Sequence, residues 1–166
     1  HFFHFNLDLL DKKNDLLLEI AIDNAKKLGF NQNCNLNSND SRYLHFCWFG
    51  GNKFSDLHLK CIESWKKYLS DNFIVCLWNE SSFGWVDYKF ARQAYDSKKW
   101  AFVSDYARLK IIYDNGGIYL DTDVELIDSL EKFLKYDGYF GFEDLEHINT
   151  GLGFGAIKNN PVLEVM

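Results

Sequence analysis

In the stretch GGIYLDTDVELID, residues 116 to 128, two carboxylates stand one residue apart, at Asp121 and Asp123. They end an apolar run of the kind that makes a buried strand. Two negative charges at the edge of a core repel each other and resist desolvation. A hard divalent cation would relieve both effects. Mg2+ and Mn2+ take oxygen ligands, commonly one or two carboxylates completed by substrate phosphates and water. Just past a strand end, where the backbone turns, both side chains can face one pocket. The bland reading is a chance D-x-D in a chain rich in Asp, and the buried strand and Gly-Gly turn just before the pair weigh against it.

The stretch before it, WAFVSDYARLKIIYDN, is apolar most of the way round, which marks a largely buried helix. Asp105 and Arg108 share a face of it at i, i+3. As an exposed pair they would contribute only about 0.2–0.5 kcal/mol. Inside a buried helix, ionised groups need further partners, and a polar ligand such as a sugar would use a carboxylate and a guanidinium together. Trp48, beside the Gly50-Gly51 turn, is either a core indole or a platform on which a nucleobase stacks. Glu143, Asp144, His147 and Asn149 cluster in FEDLEHINTG, where a solvated loop competes with a set of acceptor contacts.

These residues need a frame. Strand-like runs at 43–49 and 73–78 alternate with helical patterns at 57–69, 88–97 and 100–115, followed by a strand at 118–120. Shorter strands are expected at 124–127, 139–142 and 151–157. Alternation of this kind predicts an α/β layered fold with a mostly parallel sheet, and such sheets bind ligands beyond the carboxyl ends of their strands. Asp121, Asp123 and the turn after Trp48 all fall at such ends. Residues 1–30 read as a separate helical segment, with helical spacing over 7–29, and residues 31–41 as a polar linker. The domain expected over 42–166 stops where Asn-Asn-Pro would start a helix, as a piece of something longer would.

The 166 residues are 47% hydrophobic and 17% aromatic, enough for one domain with a real core. A net charge of −6 argues against broad attraction to nucleic acid or anionic lipid. No apolar run approaches the roughly 20 residues of a membrane span. Cys34, Cys47, Cys61 and Cys76 show no C-x-x-C spacing; three lie in apolar stretches, and they read as reduced core residues, a disulfide or metal site being the lesser alternative, in a cytoplasmic protein that could meet a membrane only through regions outside this chain. There is no G-x-G-x-x-G, no phosphate-binding P-loop and no Ser-centred nucleophile elbow. The EF-hand pattern fails at Leu126.

Five segments in order resemble the glycosyltransferases that carry a D-x-D sugar-binding region: HFCWFGG (45–51), CIESWKKY (61–68), CLWNE (76–80), SDYARLKIIYDNGGIYLDTDVEL (104–126) and NTGLGFGA (149–156). That group includes capsular-polysaccharide transferases and α-mannosyltransferases and shares its motifs with the clostridial glucosylating toxins. The resemblance implies a GT-A-like, Rossmann-like sheet flanked by helices. It also implies a UDP- or GDP-sugar donor, Mn2+ or Mg2+, and retention of anomeric configuration. The acceptor would be a glycan or a lipid-linked molecule, in a pathway such as capsule or surface polysaccharide synthesis. By motif, Trp48 would stack the base, with Phe49 and Gly50 beside it, and Asn149 would join the substrate site. Asp105 and Arg108 would hold the donor sugar, Asp121 would contact ribose or sugar, and Asp123, with Asp121, would ligate the metal. The catalytic set is then Asp121, Asp123 and Arg108. Two other readings compete. One is a nucleotide-sugar or polysaccharide binding module without turnover. The other is a phosphatase of the haloacid-dehalogenase type, whose D-x-D-x-[TV] pattern breaks here at Glu125.

Overall fold

The computed structural model describes residues 42–84, 88–142, 144 and 147–166; the helical segment and linker expected over 1–41 lie outside them. The order is β1 (Tyr43–Cys47), α1 (Asp56–Tyr68), β2 (Ile74–Trp78), α2 (Lys89–Asp96), α3 (Trp100–Asn115) and β3 (Gly117–Leu120). A single 3-10 turn (Glu131–Phe133), β4 (Gly138–Phe142), β5 (Ile148–Ala156) and α4 (Pro161–Glu164) follow.

β1 is buried at all five positions, because both of its faces are covered. Strand side chains alternate, so Leu44 and Phe46, with Ile118 and Leu120 of β3, meet Ile62 and Trp65 of α1 in one core layer. Cys47 and Tyr119 join Val103, Ala107 and Ile111 of α3 in the other. The sheet runs β2-β1-β3-β5-β4. β1 is parallel to β2 and to β3, as the alternating pattern predicts, whereas β5 and β4 pair antiparallel. The sheet is therefore mixed.

Local chemistry explains the boundaries. Ser55 and His58 form a reciprocal cap at the start of α1. At the end of α3, Gly116 (φ 72°) turns the chain and Gly117 (φ 103°) brings it onto the sheet. A Cβ at Gly117 would lie 2.7 Å from the Tyr43 carbonyl oxygen, so only glycine permits this approach. The strand expected over 124–127 does not form. The backbone there is held by α1 instead: Trp65 Nε1–H donates to the Val124 carbonyl (2.8 Å), and the Leu126 N–H donates to Ser64 Oγ (2.8 Å).

Cys47 and Cys61 are free, buried thiols, as expected. Cys76 is disulfide-bonded, which corrects the all-reduced reading; its partner lies outside the described residues. Sequence spacing carries no sign of such a bond, since pairing is decided by proximity in the fold. Among the described residues no helix is long and apolar enough to cross a membrane.

One buried polar residue fixes the joint between these strands. His45 is fully buried on β1. Trp78 Nε1–H donates to its Nδ1 (3.0 Å), and the indole can only donate. The ring proton therefore sits on Nε2, which donates to the Gly116 carbonyl (3.0 Å). Burial lowers the His45 pKa from 6.5 to about 4, against a smaller opposing contribution from that hydrogen bond. Between those values the unfolded chain binds more protons than the folded one, so the stability contribution is complete above pH 6.5 and is lost as pH falls toward 4. Denaturant unfolding at pH 7.5 and 4.5 should show the native protein losing roughly 2–3 kcal/mol more than His45→Gln over that interval. Equal losses would clear His45 of that role.

Candidate active site

β1 and β3 are parallel neighbours, so their carboxyl ends open on the same edge of the sheet. The chain turns there twice, after Cys47 and after Leu120. Between the turns lies a cleft of about 300 Å3 lined by Cys47, Trp48, Phe49, Asn52, His58, Trp100, Ala101, Ser104, Arg108, Asp121, Thr122 and Asp123.

The first turn is held from below. The Gly50 N–H donates to Glu80 Oε1 at 2.6 Å. Gly50 has φ 85°, and a Cβ on it would come within 2.7 Å of the Trp100 indole, so the turn needs glycine both for its dihedral and for the ring packed on it. Trp48, half-buried, donates its Nε1–H to the Asn52 carbonyl (2.7 Å). Its ring packs on Phe54 (centroids 4.4 Å apart) and meets His58 edge-on (4.9 Å, 69°). The indole is anchored to its neighbours and also lines the cleft. Phe49 is buried against Phe83, edge to face.

The second turn is organised by Arg108, only 5% exposed. Nε–H donates to the Ser104 carbonyl (3.2 Å). Nη1 donates to Asp121 Oδ2 (3.2 Å) and the Thr150 carbonyl (3.1 Å), and Nη2 donates to Asp105 Oδ1 (2.5 Å). The guanidinium also lies 5.3 Å from the centre of the Tyr119 ring. The other oxygen of Asp121, Oδ1, accepts from the Tyr119 hydroxyl (2.8 Å). The counter-charge of Asp121 within the protein is therefore Arg108. Burial still pushes the Asp121 carboxyl above its usual range. Arg108 and the Tyr119 hydroxyl oppose that, while the charges of Asp123 and Asp105 add to it. Burial likewise keeps the Cys47 thiol and the Tyr119 hydroxyl protonated. Asp123 is exposed at the mouth.

Of the residues singled out in the sequence, Trp48, Phe49, Arg108, Asp121 and Asp123 line this one cleft. Asp105 stands behind it, joined through Arg108, and Gly50 supports it through Glu80 and Trp100. Asn149 is on β5, where its Oδ1 accepts the Gly151 N–H (2.5 Å) and shapes the segment whose Thr150 carbonyl holds Arg108. Asp144 and His147 pair with each other at the surface, and Glu143 lies outside the described residues. Asn52, His58, Glu80, Trp100, Ser104, Tyr119 and Gly151 escaped the sequence reading. Gly151 had a signal, as a glycine inside a strand often marks a close approach. A Cβ there would stand 2.8 Å from Asn149 Oδ1 and 3.3 Å from Arg108 Nη1. Glu80 had none.

The donor set sets the terms for a metal. Among the described residues no three His, Cys, Asp or Glu side chains gather around one point. Both oxygens of Asp121 are engaged, and Asp123 is open. This suits a hard cation that keeps waters and shares a diphosphate, and does not suit an all-protein cage.

The fold is that of a GT-A-like domain. The solved structure of PaToxG glycosyltransferase is similar, with a TM-score of 0.57 at 18% identity, over 74% of this chain and 56% of that one. This chain thus spans little more than half the length of that protein. The chain belongs to the family described as glycosyltransferase sugar-binding region containing DXD motif, whose sequence profile matches residues 55–139. No curated protein sequence matches the chain.

Removing Arg108 would leave Asp121 partly buried without its cation. Arg108→Met is expected to lose roughly 3 kcal/mol of stability at pH 8. The deficit should shrink by pH 5, because Asp121, its pKa raised further, takes up a proton in the folded state and sheds the uncompensated charge. Denaturant unfolding at the two pH values checks this, and a deficit independent of pH would assign the loss to packing.

Proposed function

We propose that residues 42–166 form the donor domain of a metal-dependent retaining glycosyltransferase that uses a UDP- or GDP-sugar. The observation that carries this reading is one cleft with an indole on one turn and an Arg–Asp–Asp set on the other. A base stacked on Trp48 would direct its phosphates across the cleft toward Asp123. Arg108, already fixed by Ser104, Asp105, Asp121 and Thr150, is preorganised, so it can orient the sugar without losing side-chain freedom. Tyr119 and Arg108 together keep Asp121 in one rotamer, ready to accept from a ribose or sugar hydroxyl. Mn2+ or Mg2+ on Asp123, with Asp121 beside it, would supply Lewis-acid stabilisation of the departing diphosphate. Retention, a glycan or lipid-linked acceptor and a product such as capsule or other surface polysaccharide rest on the resemblance to the transferases and not on a group in the cleft.

The test is incubation with a panel of nucleotide sugars and Mn2+, following release of nucleoside diphosphate. Release from one donor supports the transferase. Saturable binding without release would make this chain a binding module, and phosphomonoester cleavage would make it a phosphatase.

Two variants probe the two walls separately. Asp123→Asn should weaken Mn2+ binding in the presence of UDP by tenfold or more in calorimetry, with the melting temperature unchanged or slightly raised. Trp48→Ala should weaken UDP and GDP alike by ~1–3 kcal/mol. Native Mn2+ affinity in Asp123→Asn, or native nucleotide affinity in folded Trp48→Ala, would remove that wall from the site.

A further inference from the structure

The cap of α1 is unusual in its third helical residue. Glu or Gln ordinarily closes a capping box at that position; here it is His58. The His58 N–H donates to Ser55 Oγ (3.4 Å), and the Ser55 backbone N–H donates to His58 Nδ1 (3.1 Å). Ser55 Oγ also stands 2.9 Å from Nδ1 and can donate to it. A backbone N–H can only donate, so Nδ1 is the acceptor and the ring carries its proton on Nε2. Nε2 has no hydrogen-bond partner among the described residues, and the ring lines the cleft.

Its position is specific. The ring stands beside the indole of Trp48, with centroids 4.9 Å apart and planes at 69°. Farther along α1, Lys60 Nζ reaches Glu125 Oε2 (3.0 Å), and Ser64 and Trp65 hold residues 124–126. α1 therefore starts beside Trp48 and reaches the chain that leaves Asp123 with its later turns. Phosphates running from a base on Trp48 to Asp123 would cross the cleft that His58 lines with both. A Glu at this position would cap the helix equally well but would add a third carboxylate to a cleft that already holds Asp121 and Asp123. A histidine keeps the cap and presents a neutral donor.

We propose that His58 is a donor-binding residue, locked by the Ser55 cap as the Nε2–H tautomer, which gives that hydrogen to a phosphate oxygen of the nucleotide sugar. The assignment rests on the reading of the cleft as a nucleotide-sugar site, and the experiment separates the two. The native chain is first titrated calorimetrically with UDP and with GDP; UDP and, in parallel, uridine are then titrated into the native chain, His58→Glu and His58→Gln (GDP and guanosine if the chain takes GDP alone, with the same outcomes), with a melting curve for each. His58→Glu keeps the cap and removes the donor; it should melt like the native chain and bind UDP at least about tenfold more weakly, with uridine changed less than twofold. His58→Gln keeps both cap and a donor and should stay within about threefold of native for UDP. Native UDP affinity in His58→Glu, or equal losses for UDP and uridine, would overturn the proposal while leaving the site intact. A native chain that binds neither UDP nor GDP would overturn the reading of the cleft and this assignment with it. Should His58→Glu fail to fold, His58→Ala carries the same test, with a loss of about tenfold expected for UDP alone.

Discussion

The guanidinium of Arg108 is the contact on which the site depends. A buried cation is tolerated only when its charge is paired and its N–H groups find acceptors, and here four neighbours accept from four of its five N–H groups. Ser104 and Asp105 come from its own helix, Asp121 from the end of β3 and Thr150 from β5. One side chain thereby ties the central helix to the strand end that carries the carboxylates and to the antiparallel strand behind them. Gly151 is part of the same arrangement, since any side chain there would press on Asn149 and on Nη1. So is Tyr119, whose hydroxyl takes the second oxygen of Asp121 and whose ring lies beside the cation.

The other half of the cleft is built by different means. Its polar anchors are a carboxylate on a backbone N–H (Glu80 to Gly50), an indole N–H on a carbonyl (Trp48 to Asn52) and a capping histidine, with aromatic packing between them. None of these needs a buried charge pair. The two walls therefore fail differently: loss of the Arg108 network exposes an uncompensated charge, whereas loss of an aromatic contact removes area and shape.

The carboxylate pair of the D-x-D stretch is split in the same way. Asp121 lies inward, held by Arg108 and the Tyr119 hydroxyl, while Asp123 is exposed to solvent. Two residues of the same type, one apart, have different environments because the chain turns between them. The segment that follows is strapped to α1 and not added to the sheet as a strand.

Much of this was legible in the amino-acid sequence, and the physical reason is locality. The run of apolar residues in β1, the helical spacing of α3, the Gly-Gly turn and the carboxylate pair are each set by neighbours a few residues away. They placed Asp121, Asp123 and the turn after Trp48 at the ends of strands, and Arg108 on a buried helix. What local pattern could not convey was pairing across the chain. That β5 and β4 run antiparallel, that residues 124–127 bond to a helix, that Cys76 is in a disulfide and that Arg108 is the cation facing Asp121 are all outcomes of distant segments meeting. Glu80, His58 and Gly151 took their places for the same reason. The sequence alone determined which residues could do the chemistry and on which kinds of element they sit. The tertiary structure decided which charges are already spent on the protein and which remain for a ligand, because neutralisation depends on distances of about 3 Å between atoms far apart in the chain.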